Sequence, residues 1–378
     1  MRIGVLYEVH RLRLGGELRV LESLFDGFKK QGWNVKLTII SKLEGPSYND
    51  IRQFFGSSEP DTIVELKPPN GILSYYRKYA FYRRLGHRFR DCDAVIRLSE
   101  YPILSQFIKG KHFYYAQIEV GIIRVPPFLQ KSYTHSHGIF LKAYHAPLTK
   151  SFEKSGTNVT YVANSNFVKQ SVETVWKYRC NDIISPPVKL EHFKQLSQTK
   201  KTPFKIVSLG RFNRDKNHTE QLDIFSDLVK ESGSDWHLVM IGAADPGSNE
   251  ILNNLRHIVK DRKIEEKVRI LENASSSQID AELSTSQYFL HTNHREGFGI
   301  SVIEGIAAGC VPIVPRHTGS GEIVTDELQF SSASEAVDIF KRLSARWIPA
   351  SILVRDLNVD DKLFQQSWVN LISKSMDR

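Results

Sequence analysis

The chain has 378 residues, 41% of them hydrophobic and 25% charged, with a formal net charge of +9 at pH 7. That length predicts two domains of similar size, and that composition excludes a wholly disordered chain. Cys92, Cys180 and Cys310 are too few and too scattered for a disulfide framework or a zinc pattern, which fits a reducing cytosol, while the positive charge favours anionic partners: nucleotides, phospholipid or nucleic acid.

In chain order, the opening MRIGVLYEV is a short apolar run closed by Glu8, His10 and Arg11. It is too short for a signal peptide, and no later stretch approaches the ~20 apolar residues of a membrane helix. The expectation is a cytoplasmic chain, soluble or at most peripheral to a membrane. Strands are predicted at 2–7, 34–40, 62–66, 94–98, 112–116 and 158–165, with helical patterns between them, notably Leu18–Lys30 and about 74–90. Pro186-Pro187 cannot continue a helix and marks a linker, which puts the domain boundary near 185–200. A second alternation follows. Strands at 204–210, 236–242, 267–272, 288–292 and 311–315 are interleaved with helices from about His218, Ser248 and Ile300. Short apolar runs alternating with amphipathic ones predict βα units, parallel sheets and an α/β class. At the end, Asp360 or Asp361 caps a last helix whose Phe364, Trp368, Leu371 and Ile372 share one face.

The stretch from His291 to Cys310, HTNHREGFGISVIEGIAAGC, places Glu296 and Glu304 eight residues apart. Gly297 and Gly299 allow a tight turn after a buried strand, and Ile300 opens a helix whose free N–H groups attract an anion. A carboxylate only accepts hydrogen bonds, so two of them suit a polyhydroxylated ligand, one on a ribose and one on a hexose. Either Glu alone reads as structural, since a helix dipole favours an acid in its first turn. The array taken together points to a site. Upstream, SLGRFNRDKNH sets Gly210-Arg211 at a strand end and Lys216 just before a helix. Two cations at the carboxyl ends of parallel strands suit a diphosphate; alone, the stretch reads as a solvated basic loop.

These residues carry a resemblance. EGFGISVIE resembles the E-x7-E motif of family 4, the retaining nucleotide-sugar glycosyltransferases of the GT-B group, and GRF…DKNH resembles that family's Arg/Lys diphosphate motif. RHTGSGEIV (316–324) resembles its glycine-pair loop, with Ser320 interrupting the pair. LGGELRVLESL (14–24) and VANSNFVKQSVETVWKYRCNDIISPPV (162–188) are similar to segments of the Alg11-type α-1,2-mannosyltransferases, which extend a lipid-linked oligosaccharide on the cytosolic membrane face.

The resemblance implies a GT-B fold, two Rossmann-like domains with a cleft between them. Residues 1–187 would bind the acceptor, 188–358 the nucleotide sugar, and 359–378 would form a helix packing back on the first domain. It implies catalytic roles for Arg211, Lys216 and Glu296. It implies donor contacts from Gly210, Gly297, Phe298, Gly299, Ile300, Glu304, Gly15 and Gly16. The implied reaction moves a hexose, mannose from GDP-mannose, to a glycan or lipid-linked acceptor, with no cofactor and no essential metal. A GT-B nucleotide-sugar epimerase and a non-catalytic scaffold subunit are the alternatives.

One departure from the family concerns its N-domain histidine. The corresponding strand reads HFYYAQIE, so Tyr115 or Gln117 stands in that region, with His145 as the other substitute. The D-x-D at Asp91-Cys92-Asp93 precedes a strand and reads as a turn. Residues 75–90 hold six Arg/Lys and six aromatics. Arg77, Lys78, Arg83 and Arg84 there suit an anionic lipid face or an acceptor; an ordinary amphipathic helix fits equally, and nucleic acid less well.

Overall fold

The computed structural model describes residues 1–11, 16–43, 48–67, 74–98, 108, 110–117, 159–188, 190–345 and 359–377. His145 and Gly15 fall outside them. The chain divides into two units, Met1–Pro187 with Val359–Arg378, and Val188–Asn358.

Among the described residues unit 1 is built on seven parallel strands: β1 (Arg2–Arg11), β2 (Asn34–Leu43), β3 (Thr62–Leu66), β4 (Ala94–Leu98), β5 (Lys111–Ala116), β6 (Thr160–Ala163) and β7 (Cys180–Ile183). Their order is β3-β2-β1-β4-β5-β6-β7, so the sheet reverses direction between β1 and β4. Helices α1 (Gly16–Lys30), α2 (Tyr48–Phe55) and α3 (Ser74–Arg88) connect strands. Strand β4 is buried at every position, as a central strand covered on both faces must be. The turn Asp91-Cys92-Asp93 is structural: the Asp93 carboxylate accepts from Arg2 N at 2.8 Å and its carbonyl from Lys111 N at 3.0 Å.

The C-terminal helix, Asp361–Met376, belongs to this unit. Asp360 caps it by accepting from Lys362 N. Phe364, Trp368 and Ile372 enter the core beside Phe25 and Phe28 of α1, as the apolar stripe predicts. Gly27 lets the two helices meet closely, since a Cβ there would lie 2.9 Å from the Gln365 side chain. Around that contact Ser23 donates to Asp361 at 2.7 Å and Gln365 to Asp26 at 2.9 Å. Burying an indole such as Trp368 completely is worth about 3–5 kcal/mol against alanine.

The expected strand at 112–116 is β5, and of the residues that could stand for the family histidine Tyr115 is turned away from that role. The β5 alternation turns it into this same core, its ring 5.3 Å from Trp368 and its hydroxyl donating to Ile184 O at 2.7 Å. Burial raises its pKa well above the ordinary range. A phenol so placed and so held is no general base. Gln117 is half-buried, and its carbonyl accepts from Asn164 Nδ2 at 2.9 Å.

Unit 2 holds six parallel strands: β8 (Thr202–Leu209), β9 (His237–Gly242), β10 (Val268–Glu272), β11 (Ser286–Leu290), β12 (Val311–Pro315) and β13 (Gln329–Phe330). Their order, β10-β9-β8-β11-β12-β13, reverses between β8 and β11. The main helices after α4 (Asn166–Ser171) and α5 (Leu190–Leu196) are α6 (His218–Ser232), α7 (Asn249–Asp261), α8 (Ser276–Thr285), α9 (Ile300–Ala307) and α10 (Ala333–Ala345). Both units are therefore Rossmann-like. Among the described residues no helix is long and apolar enough to cross a membrane.

Candidate donor site at the carboxyl ends of β8 and β11

Where a parallel sheet reverses its order, the loops after the two central strands part and leave a crevice, the usual ligand position in open α/β sheets. In unit 2 those loops are 210–217 after β8 and 291–299 after β11.

The first loop is shaped by close backbone packing. A side chain at Gly242 would put its Cβ 2.1 Å from Gly210 O, so only glycine lets β9 pass there. Phe212 N donates to Ala243 O at 3.0 Å, and His218 Nε2 lies 3.0 Å from Arg211 O. Asn213 caps the short turn Arg214–Lys216, and Asn217, at φ 50°, redirects the chain into α6. The backbone at Lys216 is then tied to the second loop, because Thr292 Oγ1 donates to Lys216 O at 2.8 Å and accepts from Gln221 Nε2 at 3.0 Å.

The second loop turns on its glycines. Gly299 has φ 95° and starts α9. Gly319 N donates to Glu296 O at 2.8 Å, and a Cβ at Gly319 would fall 1.9 Å from Gly297 O, so the 316–321 loop sits directly on the turn. Ser320 is tolerated there because its backbone is ordinary, φ −71°, and its hydroxyl joins Thr318 Oγ1 at 2.9 Å. Gly305 lets α9 press onto Phe289 of β11, where a Cβ would meet the ring at 2.4 Å.

The two loops meet at one carboxylate. Lys216 Nζ lies 2.6 Å from Glu296 Oε2, with side chains 18% and 17% exposed. His291 Nε2 and Asn293 Nδ2 reach the same oxygen, each at 3.1 Å. Burial would raise the Glu296 pKa, but the Lys216 ammonium and the His291 bond hold it well below the ordinary carboxylate range. Burial also lowers the His291 pKa, which the Glu296 bond only partly offsets, so the imidazole is neutral and donates from Nε2.

The expected residues therefore separate into groups. Gly210, Lys216, Glu296, Gly297, Phe298, Gly299 and Ile300 all lie on the two loops or the start of α9. Glu304 is buried within α9, one turn in. Arg211 follows β8 with its side chain exposed. Gly16 begins α1 in unit 1. Arg77, Arg83 and Arg84 are exposed on α3, also in unit 1; the Lys78 side chain lies outside the described residues. His291 and Asn293 are the members that sequence reasoning missed. Their signal was spacing, two neutral donors three and five residues ahead of Glu296. Among the described residues no cluster of His, Cys, Asp and Glu could hold a metal ion. The available chemistry is a pair of cations and a helix start for an anion, with acids for hydroxyl groups.

Residues 190–356, all within unit 2, match the family model described as glycosyl transferases group 1. Over 171 residues the chain is 32% identical to the GDP-Man:Man(3)GlcNAc(2)-PP-Dol alpha-1,2-mannosyltransferase of Mus musculus, covering 43% of this chain and 35% of that protein. Over 109 residues it is 29% identical to the GDP-mannose:cellobiosyl-diphosphopolyprenol alpha-mannosyltransferase of Xanthomonas oryzae pv. oryzae, 29% of this chain and 28% of that one. The matched stretches thus span about a third of these curated relatives. The structure of Anabaena Alr3699/HepE in complex with UDP and glucose is similar at a TM-score of 0.66 and 13% identity, covering 99% of this chain and 100% of that one. The fold is that of the GT-B glycosyltransferases, two Rossmann-like parallel-sheet domains.

Proposed function

We propose that this chain is a retaining glycosyltransferase that moves mannose from GDP-mannose to a lipid-linked glycan acceptor on the cytosolic face of a membrane. The observation that carries the reading is the convergence of Lys216 and Glu296, 2.6 Å apart, on the crevice between β8 and β11. The names of the relatives, which specify GDP-mannose and diphospholipid-linked glycans, supply the donor and the acceptor class.

In this reading Lys216 and Arg211 grip the donor diphosphate and stabilise the charge that builds on it as the bond to the sugar breaks. The N–H groups at the start of α9 add to that grip. Glu296 accepts hydrogen bonds from the sugar hydroxyls, and Glu304 from the ribose. The acceptor hydroxyl attacks the face the diphosphate leaves, and the departing phosphate oxygen takes its proton. That route needs no side-chain base, which suits a β5 strand whose Tyr115 is locked in the core. Unit 1 binds the acceptor. The exposed Arg77, Arg83, Arg84 and Arg88 on α3, a helix with no acid in its first turn, would lie against anionic lipid.

The test is transfer from GDP-mannose to a polyprenyl-diphosphate-linked glycan, with UDP- and ADP-sugars as alternative donors and the product's anomeric configuration read by NMR. An α-linked mannoside is expected. Conversion of the donor without acceptor would instead indicate an epimerase. Absence of any nucleoside diphosphate binding would indicate a scaffold.

A further inference from the structure

Every described hydrogen bond to the Glu296 carboxylate lands on the same oxygen. Lys216 Nζ, His291 Nε2 and Asn293 Nδ2 all donate to Oε2, at 2.6, 3.1 and 3.1 Å, and no described residue donates to Oε1. A carboxylate oxygen offers about two acceptor positions. Oε2 is therefore filled, while Oε1 keeps both of its own for something else.

The neutral donors are themselves fixed. His291 is 3% exposed and Asn293 7%. His291 N donates to Ile313 O at 3.0 Å, which ties its backbone to β12. Asn293 uses both ends of its amide: Oδ1 accepts from Arg295 N at 3.0 Å, and this turns Nδ2 toward Glu296. Lys216 differs from them. Its ammonium is a mobile point charge, and an arriving diphosphate competes for it. His291 and Asn293 carry no charge for the phosphates to draw away.

We propose that His291 and Asn293 are positioning residues that clamp Glu296 by Oε2 and present Oε1 to the sugar of the donor. This makes the site discriminate a sugar nucleotide from the bare nucleoside diphosphate. The inference rests on the transferase reading and adds a specificity device to it. When Lys216 turns to the diphosphate, the two neutral donors keep the carboxylate aimed.

Calorimetric titration of GDP and of GDP-mannose into wild type, His291→Phe, His291→Gln and Asn293→Ala tests it. The readout is the ratio of the two affinities, which general destabilisation of unit 2 would not move. In His291→Phe and Asn293→Ala the ratio of GDP-mannose to GDP affinity should fall about tenfold, the scale of one hydrogen bond to a charged group, with GDP affinity within about twofold of wild type. His291→Gln, whose amide can replace the Nε2 donor, should recover most of the ratio. An unchanged ratio, or equal loss of both affinities, overturns the clamp alone. A wild type that binds neither ligand, nor UDP and UDP-glucose, overturns the transferase reading and the clamp with it.

Discussion

Each sheet reverses its strand order once, and each reversal holds an acid–base pair. In unit 1 the pair is Glu8 of β1 and Arg97 of β4, 3.1 Å apart with side chains 9% and 1% exposed. Tyr82 of α3 covers it, donating to Glu8 while the guanidinium sits 6.0 Å from the ring centroid. In unit 2 it is Lys216 and Glu296, 18% and 17% exposed, on loops beyond the strand ends. The difference lies in position along the strand. Charges inside the sheet, sealed by a helix, can only serve the fold. Charges one loop further on can exchange each other for a ligand.

The comparison is broken most forcefully from the unit 1 side. Arg97→Ala leaves the buried Glu8 without its cationic partner and should cost about 3–5 kcal/mol, read as a drop in the thermal unfolding midpoint. Arg97→Met with Glu8→Leu should recover most of that loss, and neither change should alter nucleotide affinity in unit 2. From the unit 2 side, Lys216→Ala and Arg211→Ala should each lower turnover by roughly 10²–10³, the scale of one lost transition-state donor. Near-normal turnover in both would remove their assigned role.

A third contrast is acid sensitivity. His112, beside Arg97 on the same sheet, is buried with neither ring nitrogen partnered. Burial, helped by the Arg97 charge, pushes its pKa down to about 3 from 6.5. The unfolded chain then binds the proton more readily than the folded one. The stability that neutral His112 preserves is complete above pH 6.5 and is lost as pH falls toward 3. By pH 4.5 that loss is about 2–3 kcal/mol. His112→Phe should flatten the wild-type slope of unfolding midpoint against pH in that window, and parallel slopes would refute this origin. The smallest effect sharpens the unit 2 account. Glu304→Ala should weaken nucleoside diphosphate binding about tenfold, one hydrogen bond to a charged group, with little change in the sugar's contribution.

Much of this was legible in the sequence because strand and turn signals are local. The runs TIVEL, AVIRL and VPIVP are strands at the bounds read from them, and the Asp360 cap and its apolar stripe gave the last helix. What escaped was either short or long-range. Strand β13 has two residues, and β7 reads CNDI, whose polar edge character carries no apolar run. Arg97 lies inside the predicted strand AVIRL and its partner Glu8 in another strand, so their pairing has no local signal. The site shows the same limit. The Gly-x-Gly turn could be read directly, but the meeting of Lys216 with Glu296 spans 80 positions, and the roles of His291 and Asn293 depend on which carboxylate oxygen they reach. Strand β5 shows a related limit: it is buried on both faces, so its sequence left open whether Tyr115 or Gln117 stands toward a ligand.

The most direct test of the account is a calorimetric titration of GDP-mannose into wild type and Lys216→Ala under identical conditions. Saturable one-site binding by wild type, weakened at least tenfold in the variant while its unfolding midpoint holds, is the predicted result. Equal affinity in the two proteins would contradict the claim that the β8–β11 crevice holds the donor diphosphate.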